Sequence, residues 1–182
     1  MNRRIGIIMH GVTGRMGMNQ HLVRSILEIR KQGGVALKDG TRLMPDPILV
    51  GRNAAKVEEL ARKHGVERWT SDLDAALRSE DEIFFDAAST QLRPKLLKRA
   101  IAAGKHVYCE KPMANSARES RAMMEAAEKA GVITLVGFNY LCSPIQAFAK
   151  ELIERGDLGE VFHFRGTFDN DYMVDPSYPF TW

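Results

Sequence analysis

The chain has 182 residues, enough for one ordinary domain or for one domain and part of another. Hydrophobic residues make up 45% and charged residues 27%, the balance of a soluble globular core. The formal net charge of +3 is small and the cations are scattered, too weak a bias to argue for nucleic acid; a bound anionic cofactor accounts for it equally well.

The opening Arg3-Arg4 and Ile5-Gly6-Ile7-Ile8-Met9 lack the longer apolar run and small-residue cleavage site of a signal peptide, and no stretch is long enough to span a bilayer. Cys109 and Cys142 are far apart and form no CxxC pair, so neither a metal site nor a disulfide framework is expected. A reducing, cytoplasmic location with no membrane partner is the default.

In chain order, Ile5 to Met9 reads as a buried strand. Arg15 to Gln32 follows helical spacing, with Leu22, Val23, Ile26 and Leu27 on one face, and Gly33-Gly34 ends it. Val35 to Pro47 reads as a long loop or small hairpin before a second strand, Ile48-Leu49-Val50. Asn53 caps a helix that runs to His64 and is stopped by Gly65. Ser71 begins a short helix with Asp74 in the capping-box position. Further strands are expected at Ile83 to Ala88, His106 to Cys109 and Val132 to Val136. Helices are expected from Pro94 to Ala103 and from Ser116, boxed by Glu119, to Ala130. This alternation implies right-handed βαβ crossovers and a doubly wound parallel sheet, a Rossmann-like α/β fold.

Beyond residue 139 the pattern changes. Ser143-Pro144 opens a helix whose Ile145, Phe148 and Leu152 share a face. Val161 to Phe168 then alternates, with Phe162, Phe164 and Phe168 on one side, as in a half-buried antiparallel strand. A lone strand leaves its backbone groups unpaired. The expectation is a dinucleotide-binding domain over residues 1–139 and the start of an α+β second domain over 140–182, apparently incomplete. The alternative is that the strand docks on the first sheet or on another subunit.

Gly11-Val12-Thr13-Gly14-Arg15-Met16-Gly17 joins the first strand to the first helix with GxxGxxG spacing, a variant of the dinucleotide fingerprint. One glycine permits the tight turn, the next lets a pyrophosphate approach the backbone, and the last lets helix pack on strand; free N–H groups at the helix start bind phosphate. Gly11, Thr13, Gly14, Arg15 and Met16 are therefore cofactor-binding candidates. At the end of the second strand Gly51-Arg52-Asn53 offers no carboxylate for the ribose hydroxyls of NAD. Arg52 is suited to a 2′-phosphate, with Arg15 in support, so NADP is favoured and NAD is the alternative. Asn53 belongs to the same candidate site.

Cys109-Glu110-Lys111-Pro112-Met113-Ala114 follows a strand at its carboxyl end, the edge at which open α/β sheets bind ligands. Lys111 there can donate to a substrate oxygen or assist proton transfer. Glu110 can hold the lysine, and Pro112 fixes the turn and admits a cis bond. On spacing alone this is equally a charged loop.

Taken together, the glycine turn, Glu110-Lys111-Pro112 and Gly137-Phe138-Asn139-Tyr140 resemble the Gfo/Idh/MocA oxidoreductase family, in the right order along essentially the whole chain. The resemblance implies a Rossmann domain followed by a second α/β domain with a large open sheet. It also implies hydride transfer between NAD or NADP and sugars, inositols or related polyols, and a catalytic role for Lys111. By the same resemblance Ser89, Thr90 and Asn139 lie near the nicotinamide, Glu110 and Lys111 contact the cofactor, and Lys111 and Tyr140 face the substrate. A homo-oligomer through the second domain is the expected assembly. Two departures stand out: Ser89-Thr90-Gln91 followed by Arg93-Pro94 replaces the family's Thr-Pro-Asn and nearby His, and Leu141-Cys142 stands where an Arg commonly follows the Asn-Tyr pair. The family's catalytic Asp and His lie in the second domain, beyond residue 182, so the expected catalytic set is incomplete here. A non-catalytic dinucleotide-binding sensor on the same fold is the competing reading.

Other residues are given structural roles. His10 is expected to pack beside the turn, and His21 and His64 to sit on helix surfaces. Cys109 is expected to be a small buried residue, and the phenylalanines of 162–168 to be core. Asp169, Asp171 and Asp175 match no cation loop.

Overall fold

The structure is a computed structural model that describes residues 2–169, 171 and 174–177. The chain divides into two compact units, Met1–Gly137 and Phe138–Trp182.

In the first unit seven strands form one sheet: β1 (Asn2–His10), β2 (Val35–Ala36), β3 (Arg42–Val50), β4 (Arg68–Thr70), β5 (Ile83–Asp86), β6 (His106–Cys109) and β7 (Thr134–Val136). The parallel strands run β4-β3-β1-β5-β6-β7, and β2 pairs antiparallel with the start of β3. The chain therefore winds outward from β1 to β4 and returns to the other side of β1 at β5. The gap between β1 and β5 is the topological switch point, where such sheets bind ligands. Register aligns the carboxyl ends there: His10 lies opposite both Val50 and Asp86, and Asp86 opposite Cys109.

Successive strand residues point to opposite faces. Ile8, Val50, Phe84 and Val107 pack on one side with Leu97, Ala100 and Ile101 of α4 (Arg93–Ala102) and Met123 of α5 (Ala117–Ala130). Ile7, Met9, Leu49 and Phe85 pack on the other with Leu22 of the helix after the glycine turn and with Val57 and Leu60 of α2 (Ala54–His64). Covering both faces is what lets the strands read as unbroken apolar runs.

Several helix ends form as expected. Asn53 accepts from the Lys56 N–H at 3.0 Å, and Gly65 and Gly131 stop their helices at φ of +65° and +66°. Ser116 accepts from the Glu119 N–H at 3.3 Å, and its hydroxyl also donates to the Glu119 carboxylate.

Other expectations need correction. The short helix spans Leu73–Arg78 and is capped by Asp72, which accepts from Ala75 N–H, so Ser71 and Asp74 do not form its box. The single α-helix expected over Arg15 to Gln32 is wound in the i→i+5 pattern over Met16–Leu27 and becomes α-helical only at Glu28–Lys31. The wider turn means that residues four apart no longer stack, so Leu22 is buried while Val23, Ile26 and Leu27 are only partly covered. Of the two readings for the segment before Ile48, the hairpin is the one formed, by β2 and β3, but β3 begins at Arg42 and not at Ile48. Pro45 and Pro47 sit within it because β1 alone pairs with β3 between Met44 and Pro47, leaving an edge that asks no donor of them.

The amino edge of the sheet carries an ion network. Buried Asp81 accepts from Arg68 Nη1 and Nη2 at 2.9 and 2.6 Å and from Arg4 Nη2 at 2.8 Å. Asp46 receives both arginines as well, at 2.9 Å from Arg68 and 2.6 Å from Arg4. Burial pushes the Asp81 carboxyl up, but the hydrogen bonds of Arg68 and Ser79 and the two arginine charges outweigh it and hold it below the ordinary range.

The second unit holds a 3₁₀ turn, Asn139–Cys142, and α6 (Pro144–Glu154). The strand expected over Val161 to Phe168 is not formed: residues 161–169 have no regular secondary structure among the described residues. Phe162, Phe164 and Phe168 are 93%, 88% and 74% exposed, so they are not core here. Alternation makes a strand only where a partner takes the backbone groups, and no residue of this segment is paired in a sheet.

Candidate functional site

The glycine turn is shaped by close approach. Gly11 has φ of +81°, and a Cβ there would lie 2.5 Å from the backbone of Ala87 and Ala88. A Cβ on Gly17 would lie 2.5 Å from the Gly11 carbonyl oxygen, so only glycine lets the helix seat on its strand. Gly14 donates its N–H to the Gly11 carbonyl at 3.1 Å, and a Cβ on it would meet only that oxygen, at 3.3 Å. The outer side of the turn is therefore open, and the helix starts with no side-chain cap at Arg15. An open turn leading into an uncapped helix start fits a diphosphate group.

A cleft of about 230 Å³ lies over the switch point, lined by Gly11, Thr13, Gly14, Arg52, Ala88 and Ser89 among others. A neighbouring hollow of about 270 Å³ shares His10, Gly51, Arg52 and Leu92 with it and adds Ser71, Lys95 and Arg99. The two make one trough along the carboxyl edge, apolar at Val50, Leu73 and Leu96 and cationic at its rim. Five of the expected residues, Gly11, Thr13, Gly14, Arg52 and Ser89, thus converge on one cleft. Arg15, Met16, Asn53 and Thr90 lie beside it without lining it, and the Asn53 side chain is committed to its helix cap.

The Glu-Lys-Pro turn leaves the same edge one strand beyond β5. Glu110 donates its N–H to the Asp86 carbonyl at 2.9 Å, and the Lys111–Pro112 bond is cis. Glu110 Oε2 accepts from the Lys111 N–H at 3.1 Å, and Oε1 meets His21 Nε2 at 2.5 Å. The hydrogen bond from His21 is the largest influence on Glu110; with the charges of His21 and Lys111 it outweighs burial and holds the carboxyl below its usual range. His21 is therefore not a surface group: its ring lies 4.6 Å from that of Phe85, and it ties the first helix to the Lys111 turn. His64 is half-buried as well, with Nε2 enclosed.

Sequence reasoning missed the polar cluster beneath this edge. Asp86 and Arg93 are both buried, and Arg93 Nε donates to Asp86 Oδ2 at 2.9 Å. The Arg93 fork continues to the Ala88 carbonyl at 2.7 Å and to the Pro112 carbonyl. Asp86 Oδ1 faces His10 Nδ1 at 3.2 Å and accepts from the Ala88 N–H at 3.3 Å. The available signal was an arginine in the first turn of a helix, the end at which the dipole disfavours a cation.

Cys109 is buried and its thiol is pushed up to about 11, chiefly by desolvation, which suits an inert packing residue. Asn139 and Tyr140 fall in the 3₁₀ turn of the second unit, where the Tyr140 ring packs edge-on to Phe168 at 5.9 Å. Asp175 is engaged by Ser177, which donates to it from both N–H and hydroxyl. Among the described residues no group of His, Cys, Asp or Glu is placed to hold a metal ion, and no helix is long and apolar enough to cross a membrane.

Comparison with known proteins matches these features. Residues 7–138 fit the model of the Gfo/Idh/MocA group, described as an oxidoreductase family with an NAD-binding Rossmann fold. D-xylose dehydrogenase of Paenarthrobacter nicotinovorans is 44% identical over 165 residues, which is 90% of this chain and 42% of that protein. Among solved structures, an NAD binding oxidoreductase from Klebsiella pneumoniae superposes with a TM-score of 0.83 at 32% identity, over 99% of this chain and 46% of that one. Levoglucosan dehydrogenase in complex with NADH and levoglucosan gives 0.79 at 30% identity, over 100% and 47%. The chain thus spans less than half the length of each of these relatives. With a family model over most of its length and the switch-point cleft that such a fold requires, the chain belongs to the Gfo/Idh/MocA family of oxidoreductases with an NAD-binding Rossmann fold.

Proposed function

We propose that the protein is a nicotinamide-dependent dehydrogenase acting on a hydroxyl group of a sugar or related polyol, with Lys111 as its catalytic lysine. The observation that carries this reading is the common edge of the two turns: the Glu110-Lys111-Pro112 turn and the Gly11–Gly17 turn both leave the carboxyl ends of parallel strands, β6 and β1, that flank β5. The names of the relatives, a xylose and a levoglucosan dehydrogenase, support the substrate class.

When bound, a nicotinamide dinucleotide supplies the hydride acceptor or donor. The residues of this chain do the rest. The amides of the glycine turn hold the diphosphate, and Thr13 and Ser89 line its path. Lys111 would donate a hydrogen bond to the reacting oxygen, with Glu110 orienting the turn. Arg52 and the neighbouring Lys95 would receive the far end of the dinucleotide, with Arg99 beside them paired to Asp74.

Replacing Lys111 by Ala in the full-length protein is expected to lower turnover of D-xylose or levoglucosan by about 10²–10⁴-fold, the worth of a positioned acid–base group, while dinucleotide binding persists. Undiminished turnover eliminates the role. For the cofactor, the cationic rim and the missing carboxylate after β3 favour NADP(H). NAD(H) is the second reading, favoured by the NADH complex of levoglucosan dehydrogenase. Titration of NADPH and NADH separately decides between them: tighter NADPH binding that weakens about tenfold in Arg52→Ala supports the 2′-phosphate contact, and equal binding of both removes it.

A further inference from the structure

We infer that Arg93 is a positioning residue that sets the Lys111 turn against the loop after β5; the inference rests on the reading of Lys111 given above. Three separate backbone elements meet at its guanidinium. Nε is held by Asp86 at the end of β5 at 2.9 Å, one fork nitrogen donates to the Ala88 carbonyl at 2.7 Å, and the other donates to the Pro112 carbonyl, next to Lys111.

Stability alone does not account for this arrangement. Arg93 opens α4, where the helix dipole opposes a cation. A buried ion pair is often no more stable than a well-packed apolar pair of the same volume. A planar fork with fixed donor directions does offer a geometric constraint that a lysine lacks. Asp86 orients the fork by accepting at Oδ2 while its Oδ1 is taken up by His10 and the Ala88 N–H. With the fork so oriented, its two remaining contacts fix the spacing between the Ala88-Ser89 wall of the cleft and the turn that presents Lys111. The contact runs through the backbone of Pro112, so Arg93 acts through its neighbours and does not itself reach the reacting group.

The test is Arg93→Lys, which keeps the charge opposite Asp86 and removes the fork. Turnover with D-xylose or levoglucosan is expected to fall roughly 10²-fold, as misplacement of a reacting group does, with the dinucleotide Kd changed less than about threefold. Amide hydrogen exchange supplies a readout independent of turnover. Exchange at Ala88, Glu110 and Lys111 is expected to speed up about tenfold or more while that of α2 stays at the wild-type rate. Should Arg93→Lys fail to fold, the Asp86→Asn/Arg93→Gln pair, which removes both charges together, takes its place. Unchanged exchange at these three amides, or equal acceleration in α2, overturns the inference. So does wild-type kcat in Arg93→Lys when Lys111→Ala, assayed beside it, is inactive; that outcome leaves the reading of Lys111 intact. Full activity in Lys111→Ala instead removes the lysine's role and, with it, the positioning role of Arg93.

Discussion

The two edges of the sheet each bury an aspartate against an arginine, and they use the pair differently. At the amino edge Asp81 and Asp46 accept from the side chains of Arg4 and Arg68, carboxylate to guanidinium, and strands β1, β3 and β4 are tied directly. At the carboxyl edge Asp86 takes one nitrogen of Arg93, and the rest of the fork goes to the backbone of two loops. The first network is mainly carboxylate to guanidinium, with Ser79 adding a hydrogen bond to Asp81, and faces no cleft of the proposed site. The second holds the walls of one. The same residue types thus serve cohesion at one end of the strands and the shape of a cleft at the other.

The largest effect expected from this contrast is at the amino edge. Arg68→Ala leaves the buried Asp81 carboxylate with Arg4, itself half exposed, as its remaining ion-pair partner among the described residues, while Lys105 stays on the Asp81 carbonyl. Breaking a buried pair from one side costs about 3 kcal/mol, the lower end of the usual range because Arg4 persists. Urea denaturation measures it. Because the folded Asp81 lies below its ordinary value of 3.8, its contribution is complete above that pH and is lost as pH falls through the depressed folded value. The gap between wild type and Arg68→Ala is therefore full at neutral pH and narrows in acid. Dinucleotide affinity should stay within about twofold. A variant that kept its stability but lost the dinucleotide would erase the distinction between the edges.

The contrast also separates what a linear reading reaches from what it does not. The glycine turn, the caps at Asn53 and Ser116, and the stops at Gly65 and Gly131 are local events, each decided by a residue and its near neighbours. They are legible because chain distance and spatial distance coincide. Strand β4 is Arg-Trp-Thr, with no apolar run; it is a strand because Ile48–Val50 pairs with it and Asp81 holds Arg68. The part of β3 before Ile48 carries two prolines and reads as a long loop or small hairpin, yet it is strand because β1 pairs it throughout and β2 pairs its first two residues. The Glu110-Lys111-Pro112 turn was recognisable from its own residues and the family pattern. Arg93 and His21, which brace that turn from 19 and 89 residues away, were not, because their partners are set by the winding of the sheet. Phe162 to Phe168 show the converse: a correct period without a partner does not make a strand.

A smaller effect sharpens the comparison at the carboxyl edge. His21→Phe keeps an aromatic ring beside Phe85 and Tyr108 and removes only the bond to Glu110. The pair is mostly enclosed, with side chains 16% and 13% exposed, so a cost of about 1 kcal/mol is expected near neutral pH. Glu110 sits below its ordinary value of 4.5 because of that bond, so the stabilisation is complete above this pH and disappears as pH falls through the folded value. Wild type and His21→Phe should therefore converge in acid, and thermal unfolding from pH 7 down to about 3 follows the convergence. A gap that stayed constant across that range would mean that the cost of the substitution does not depend on the charge on Glu110, and that the ion pair is not what joins the first helix to the Lys111 turn. Because Glu110 also accepts from the Lys111 N–H, local exchange at Lys111 should quicken in this variant while the amino-edge strands are unaffected. Such an asymmetry would show that the charged groups at this edge act on the turn, whereas those at the other act on the fold.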